Sequence, residues 1–371
     1  MFLKTLCLLL ILAQAQCMCP NGFEESVLGD CFQIISTPKN WADAESYCKG
    51  IGGHLASVHN GFEGAVLNVM AKNQSCLYTY LGGSCTGKTC SWVDGSKFDY
   101  NEVPSGQTST SQQYLVFATN ASNWYLRSGN EAYCFACEHP AQKTDCLDWK
   151  YAGNLSSGIY PITLQNNTYE VYCDMETDGG GWTVIQRRFD GSEVFWNRKW
   201  NEFKAGFGGK GLPNTNYWAG NEVIHMLTTK TQTNLRIEMH DDGTPNSAYS
   251  HDFWFNEYDS FEVTNEADSY RLKISIDWQN VKGNASDGWY DLTYSNLSPF
   301  STVDRINDPR PDCVTKYQMG GWWLYNCALS SLNGAYTPID WSNGYGLFWI
   351  VDGSDLVIHP RKTLMMIRRT V

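Results

Sequence analysis

Gly82-Gly83-Ser84-Cys85-Thr86-Gly87-Lys88-Thr89 satisfies the phosphate-loop pattern GxxxxGK[ST] residue for residue. That pattern holds phosphate because a strand feeds a glycine turn whose backbone amides meet the anion at a helix N-terminus. Here Cys90-Ser91-Trp92-Val93-Asp94-Gly95 follows, which is turn-like rather than helical, and cysteines bracket the stretch. Nucleotide binding therefore lacks its structural context. Cys134-Phe135-Ala136-Cys137 has the C-x-x-C spacing of redox and zinc sites. Both chemistries need free thiols, and zinc needs a second pair at similar spacing, so structural bridges are the reading taken. The seven histidines, at 54, 59, 139, 225, 240, 251 and 359, make no HExxH, and no GxSxG elbow occurs. Nothing here points to hydrolysis.

The frame that must position these residues starts from 371 of them, more than one hydrophobic core usually serves, so two domains are expected. With 42% hydrophobic and 18% charged residues the chain is globular rather than disordered. Net charge is -12, from 27 basic and 39 acidic residues, and no Lys/Arg run exceeds two. A phosphate-tracking groove for nucleic acid is thereby disfavoured. Aromatics reach 14%, with 15 Trp, as in Trp-rich extracellular modules and carbohydrate binders. Fourteen cysteines point to an oxidising compartment.

The N-terminus agrees. Lys4 precedes the apolar run Leu6–Leu12, and Ala13 and Ala15 follow as an Ala-x-Ala cleavage signal. The run is too short to span a bilayer, and no later segment approaches that length. Residues 1–17 therefore read as a signal peptide of a secreted protein. Cleavage after Ala15 leaves thirteen cysteines, one of them odd; cleavage after Cys17 leaves twelve, which can all pair. An odd Cys17 would be placed to link two chains. Six N-x-S/T sequons, at Asn73, Asn120, Asn154, Asn166, Asn284 and Asn296, predict surface glycans in both halves.

Cysteines are dense up to Cys137 and sparse from Cys146 onward, and the short polar stretch Glu138–Thr144 separates the two regions. In the first half, Asn40-Trp41-Ala42-Asp43 supplies an N-cap with an acid in the first turn. Trp41, Ala44, Cys48 and Ile51 then recur at helical spacing before Gly52-Gly53. Asn60 repeats the cap, with Phe62, Val66, Val69 and Met70 as the apolar face of a second helix. After Leu81 the pattern is one of short strands and turns.

At this point Trp41-Ala42-Asp43-Ala44-Glu45-Ser46-Tyr47-Cys48, Gly53-His54-Leu55-Ala56-Ser57-Val58, Trp92-Val93-Asp94-Gly95 and Cys137-Glu138 stand in order. Together they resemble a C-type lectin-like domain over residues 19–140. The resemblance implies a disulfide-rich fold of two helices plus loop-rich antiparallel sheets, with Cys48 bonded to Cys137 and Cys19 to Cys31. The family's inner bridge ends several residues before the closing cysteine, whereas Cys134 stands only three before Cys137, which leaves the inner pairing open; Cys76 with Cys134, and Cys85 with Cys90 as an extra loop staple, is the pairing expected.

The second half carries Asp145-Cys146, Val171-Tyr172-Cys173-Asp174-Met175, Gly179-Gly180-Gly181-Trp182-Thr183-Val184, Trp218-Ala219-Gly220-Asn221-Glu222 and Gly320-Gly321-Trp322-Trp323. In this order they resemble a fibrinogen C-terminal (fibrinogen-related) domain over residues 144–371, of α+β class. Bridges Cys146–Cys173 and Cys313–Cys327 are implied. Independently, Tyr270, Leu272, Ile274 and Ile276 alternate like a half-buried strand. His54 and His225 match scaffold positions of the two families.

Sugar binding in C-type lectins uses a calcium ion held by converging hard oxygens. The family triplet with central proline aligns with Gln107-Thr108-Ser109, and the WND strand motif with Trp124-Tyr125-Leu126, losing the acid and both strand ligands. A calcium-free lectin-like domain is expected, with Trp92 in the core and Asp94 in a turn. In the second half, Asp304-Arg305-Ile306-Asn307-Asp308 falls where the fibrinogen-related family has a calcium loop. The resemblance carries Asp308 onto a ligand position and Asp304 onto the loop start, while Ile306 replaces the other ligand carboxylate. Calcium is the one cofactor this loop suggests. The acetyl-group pocket of ficolin-like members is altered too: Ala328 replaces its histidine and Asn343 falls at its tyrosine. Trp323, Tyr325 and Tyr336 remain near that surface as candidate ligand-stacking residues.

The expected function is a secreted, non-enzymatic recognition protein binding glycans or glycoproteins in innate defence or adhesion. The alternative is an extracellular structural or signalling protein that uses both modules to bind a protein receptor. No collagen repeat or heptad array precedes the modules, which leaves oligomerisation open, with Cys17 the one hint of a covalent dimer.

Overall fold

The computed structural model describes residues 19, 22–25, 31–107, 109–119, 123–140, 142–285, 291–341, 343–351 and 356–370. The leader read over residues 1–17, Thr108 and the Asn120 sequon lie outside these. Contacts divide the chain into two compact units, the division falling between Gln142 and Lys143.

In the first unit, Asn40 caps the helix Trp41–Gly50 by accepting from Asp43 N at 2.8 Å. Asn60 caps the helix Gly61–Asn73 by accepting from Phe62 N and Glu63 N. Each cap satisfies backbone donors that have no partner in the first helical turn. The buried face of the second helix is Glu63, Leu67, Met70 and Ala71. Phe62 and Val69, expected to face inward, are exposed. The stripe read from the sequence is offset from the packed one, because Leu67 and Ala71 fill the core and leave Phe62 and Val69 on the solvent edge.

An eight-stranded sheet carries this unit, in the spatial order Glu24–Glu25, Cys31–Lys39, Tyr133–His139, Tyr78–Gly87, Ser109–Ala118, Trp124–Arg127. All these pairings are antiparallel except that of Tyr78–Gly87 with Tyr133–His139. Two of the strands have ten residues, longer than the short strands the pattern suggested. The phosphate-loop look-alike is the hairpin of Tyr78–Gly87 with Thr89–Trp92. Its Gly82 is needed for packing, since a Cβ there would meet Leu55 O at 2.3 Å.

The disulfides are Cys19–Cys31, Cys48–Cys137, Cys76–Cys134 and Cys85–Cys90 in the first unit, and Cys146–Cys173 and Cys313–Cys327 in the second. These are the pairs assigned above. Cys134 and Cys137 end separate bridges, so the C-x-x-C pair is structural.

The second unit has its own eight-stranded sheet, ordered Phe207–Gly208, Tyr217–Trp218, Trp182–Arg188, Pro360–Arg369, Thr233–Asp242, Phe253–Tyr258. The last strand of the chain thus lies inside the sheet, flanked by Trp182–Arg188 and Thr233–Asp242. Leu272–Ser275 is a strand with alternating burial, and Tyr270, Leu272, Ile274 and Ile276 all point to the core. Trp182, Trp218, Trp322, Trp323 and Trp349 are fully buried, which explains where much of the tryptophan content goes. Asn166, at the tip of the hairpin joining Gly158–Leu164 to Asn167–Asp174, is exposed, with Gln165 and Asn166 both at positive φ. This is the turn geometry that fits the twist of a two-residue hairpin. Asn73, Asn284 and Asn296 are exposed and Asn154 is half-buried.

Candidate functional site

Asp304 and Asp308 are each committed within the fold. Asp304 Oδ1 accepts from Trp200 N at 2.8 Å, at the start of the helix Trp200–Ala205, and from Thr302 Oγ1 at 2.9 Å. Asp308 Oδ1 accepts from Arg310 N at 3.0 Å, while its Oδ2 is buried without a hydrogen-bond partner. Calcium takes about six to eight oxygens. Ile306 brings none from its side chain, and no group of three or more His, Cys, Asp or Glu able to hold a metal occurs among the described residues. Asp308 Oδ2 is thus a buried carboxylate oxygen of this loop without a protein hydrogen-bond partner. Within the fold Asp304 accepts at the start of a helix and Asp308 accepts within its own loop.

The expectation for Trp323 is corrected. It is 0% exposed, its indole N–H donates to Tyr270 O at 2.8 Å, and it packs against Phe300 and Trp322. The strand Trp322–Trp323 pairs with Phe300–Ser301 and turns this ring into the core, where no ligand reaches it. Tyr325, two residues on, is 57% exposed. Tyr336 is half-buried, donates to Arg361 O at 3.1 Å, and lines a separate cleft to which Tyr325 does not contribute.

The surface next to Tyr325 contains residues that the motif comparison passed over. Arg310 donates to Tyr317 Oη at 2.8 Å and to Asn326 Oδ1 at 3.3 Å, and its guanidinium lies 5.3 Å from the Tyr317 ring centroid. Lys316 Nζ sits 5.5 Å from the same ring, and Tyr345 meets it edge-on at 4.8 Å. Arg310, Lys316 and Asn326 are exposed, and Tyr317 and Tyr345 are half-buried. Cys327 adopts φ +43, a left-handed conformation that side chains resist. The available signal was Tyr345, a tyrosine two residues beyond the position read as Asn343. An aromatic pair braced by two cations can stack on a flat ligand face and accept acidic or hydroxyl groups.

In the first unit Gln107 and Trp124, from the two segments aligned with the lectin calcium motifs, are both engaged in protein contacts. Gln107 Oε1 accepts from Leu126 N, and Trp124 is buried against Trp92 and Tyr100. Trp92 is in the core, and Asp94 caps its own turn by accepting from Ser96 N and Oγ. His54 bonds Glu45, and His225 Nδ1 lies 2.8 Å from Val263 O, as scaffold histidines do.

One arrangement mimics catalytic chemistry. His59 Nδ1 lies 2.8 Å from Asp99 Oδ1 and its Nε2 lies 3.2 Å from Ser57 Oγ, the order of a nucleophile, base and orienting acid. Ser57, however, is 1% exposed and its hydroxyl donates to Glu138 Oε2 at 2.8 Å. Its oxygen cannot meet a substrate, and its proton goes to a carboxylate. The trio is a structural relay.

Two disulfide-closed α+β units present aromatic and charged surfaces to solvent, and the families they match are those of non-enzymatic binding proteins. The chain belongs to the family described as the C-terminal globular domain of fibrinogen beta and gamma chains, whose model matches residues 142–370. A second family model, the lectin C-type domain, matches residues 37–139. The chain is 38% identical over 205 residues to human angiopoietin-related protein 6, covering 53% of this chain and 40% of that protein. It is 35% identical over 235 residues to ryncolin-4 of Cerberus rynchops, covering 60% and 63%. The chain therefore spans less than two thirds of either relative. The fibrinogen-like globe domain of human ANGPTL6 superposes with a TM-score of 0.52 at 35% identity, covering 62% of this chain and 96% of that one. Among the described residues no helix is long and apolar enough to cross a membrane.

Proposed function

We propose that this chain is a secreted recognition protein that binds glycans or glycoproteins without calcium. The observation that carries the reading is the exposed cluster of Arg310 and Lys316 on the Tyr317–Tyr345 ring pair, tied by Arg310 to Asn326, the neighbour in sequence of the exposed Tyr325. Aromatic and arginine side chains dominate binding energy at protein and sugar surfaces alike. Relatives built on the same domain include angiopoietin-related proteins and ryncolins, whose domain class fits extracellular recognition. A protein receptor is the second reading: a lamprey fibrin structure that the chain resembles at 28% identity and TM-score 0.51 is described as a complex with a peptide ligand.

The test is a glycan and glycoprotein array probed with the full chain in calcium and in EDTA. Binding that survives EDTA and falls about tenfold or more in Arg310→Ala and Tyr325→Ala supports the reading, the loss expected for a site centred on these groups. A blank array together with a captured protein receptor whose binding the same substitutions abolish would replace glycans with the receptor. Binding that EDTA removes would contradict the calcium-free surface.

A further inference from the structure

We propose that the fibrinogen-like unit holds a second binding site, a cleft between residues 241–251, 336–341 and 359–361 that takes a neutral, hydroxyl-rich ligand of the oligosaccharide class. The inference rests on the recognition reading for its ligand class but uses a different surface. The cleft has a volume of about 710 Å³, within the range of ligand sites in proteins.

The floor of the cleft is built and locked. Asp242, 4% exposed, accepts through Oδ1 from Thr244 N, Thr244 Oγ1 and His359 N at 2.8 to 3.0 Å. His359, 2% exposed, places its ring nitrogens 2.8 Å from Leu347 O and 3.2 Å from Trp341 O. Its ring also meets the Trp341 ring edge-on at 5.1 Å. Gly243 N donates to His359 O, and Tyr336 donates to Arg361 O, so all three segments are tied together before any ligand arrives. A site fixed in advance loses less conformational freedom on binding. Asp241 and Asn246, both lining the cleft, hold φ of +58 and +62 without being glycine. Strain of this kind collects at functional rims.

The lining selects the ligand. Tyr336 and Trp341 bring aromatic surface to the lining, while Asn246, Ser247 and Ser250 bring amide and hydroxyl groups. Sugars need both: rings for their C–H faces and alternating donors and acceptors for their hydroxyls. The lining is mixed, with polar and apolar surface in similar measure, which suits a ligand that has both. Asp242 and Asp241, the latter paired with Lys362 at 3.9 Å, stand against Arg361, so the charges balance and give an anion no strongly cationic pocket.

The experiment titrates the full chain, in EDTA, with a panel of neutral oligosaccharides and with acidic ones as the contrast. Ser250→Trp places a bulky ring in the cleft from an exposed turn. Asn246→Gly removes an amide at a backbone conformation glycine accepts. Thermal unfolding checks that both variants fold. Neutral sugars bound by the natural chain should bind at least tenfold more weakly to Ser250→Trp and several-fold more weakly to Asn246→Gly. Binding untouched by either folded variant overturns the cleft; if Arg310→Ala and Tyr325→Ala then abolish it, the recognition reading stands without it. A natural chain that binds none of the panel overturns both. Acidic sugars blocked by Ser250→Trp, with neutral ones ignored, overturn the ligand class.

Discussion

His59 makes two ring contacts that a neutral imidazole satisfies only in part. Ser57 gives its one hydroxyl proton to Glu138, so its oxygen accepts from Nε2–H, while Nδ1–H meets Asp99. Both nitrogens then donate, which is the protonated form. Burial alone lowers the His59 pKa, but the Asp99 hydrogen bond and the charges of Asp99, Glu63 and Glu138 raise it on balance above 6.5. The hydrogen bond from His59 holds the Asp99 pKa below 3.8. A histidine raised in the fold stabilises below its unfolded value and loses that effect as pH rises through the folded one. A lowered carboxylate stabilises above its unfolded value and loses the effect as pH falls through the folded one. The pair therefore acts fully between about pH 3.8 and 6.5, the ordinary values. NMR titration of the His59 ring should give a pKa above 6.5, and His59→Gln should flatten the loss of stability between pH 6 and 8. A ring pKa at or below 6.5 would refute the assignment. None of this was legible in the sequence, where Ser57, His59 and Asp99 form no motif. Trp323 and Tyr325 make the same point, since residue type named both as surface candidates and only strand pairing buried the first.

At the scale of elements, the disulfides differ in the chain they close. Cys48 and Cys137 are 89 residues apart, Cys85 and Cys90 only 5. Loop-closure entropy grows with the logarithm of that separation, so the long bridge stabilises by about 4–5 kcal/mol and the short one by about 2 kcal/mol. Replacing each pair with alanine should shift the urea midpoint of the full chain about twice as far for the long bridge. Equal shifts would show that strain or residual structure in the unfolded chain, rather than loop length, sets the difference. Helix existence and start were readable from Asn40 and Asn60, because a capping side chain acts within its own turn. The buried face of Gly61–Asn73 was not, because Phe62, Val66 and Val69 are as apolar as Leu67, Met70 and Ala71. The partner surface decides which stripe turns inward.

On the scale of the whole molecule, each unit has its own hydrophobic core and closes all its disulfides internally. In the fibrinogen-like unit Arg369 donates to Asp148 Oδ1 at 2.6 Å and pairs with Asp145, joining the last strand to the helix Cys146–Tyr151. Residues 143–371 expressed alone should therefore unfold cooperatively, and a broad transition without a heat-absorption peak would contradict this. In that fragment Arg369→Met should cost about 3–5 kcal/mol, the penalty for removing the cation from a buried ion pair. Sequence alone determined the order of the modules, the family bridges such as Cys48–Cys137 and Cys146–Cys173 through the resemblance, and the loss of calcium oxygens at 108, 126 and 306, while the inner pair Cys76–Cys134 needed the structure. Those features reside in residue identity and short-range spacing, which survive reading along a line. Tertiary structure alone decided that Trp323 is core, that Arg310, Tyr317 and Tyr345 share a surface, and that Asp242 and His359 lock a cleft. Those depend on segments far apart in the chain arriving at one place, and burial is a property of that arrival rather than of any residue.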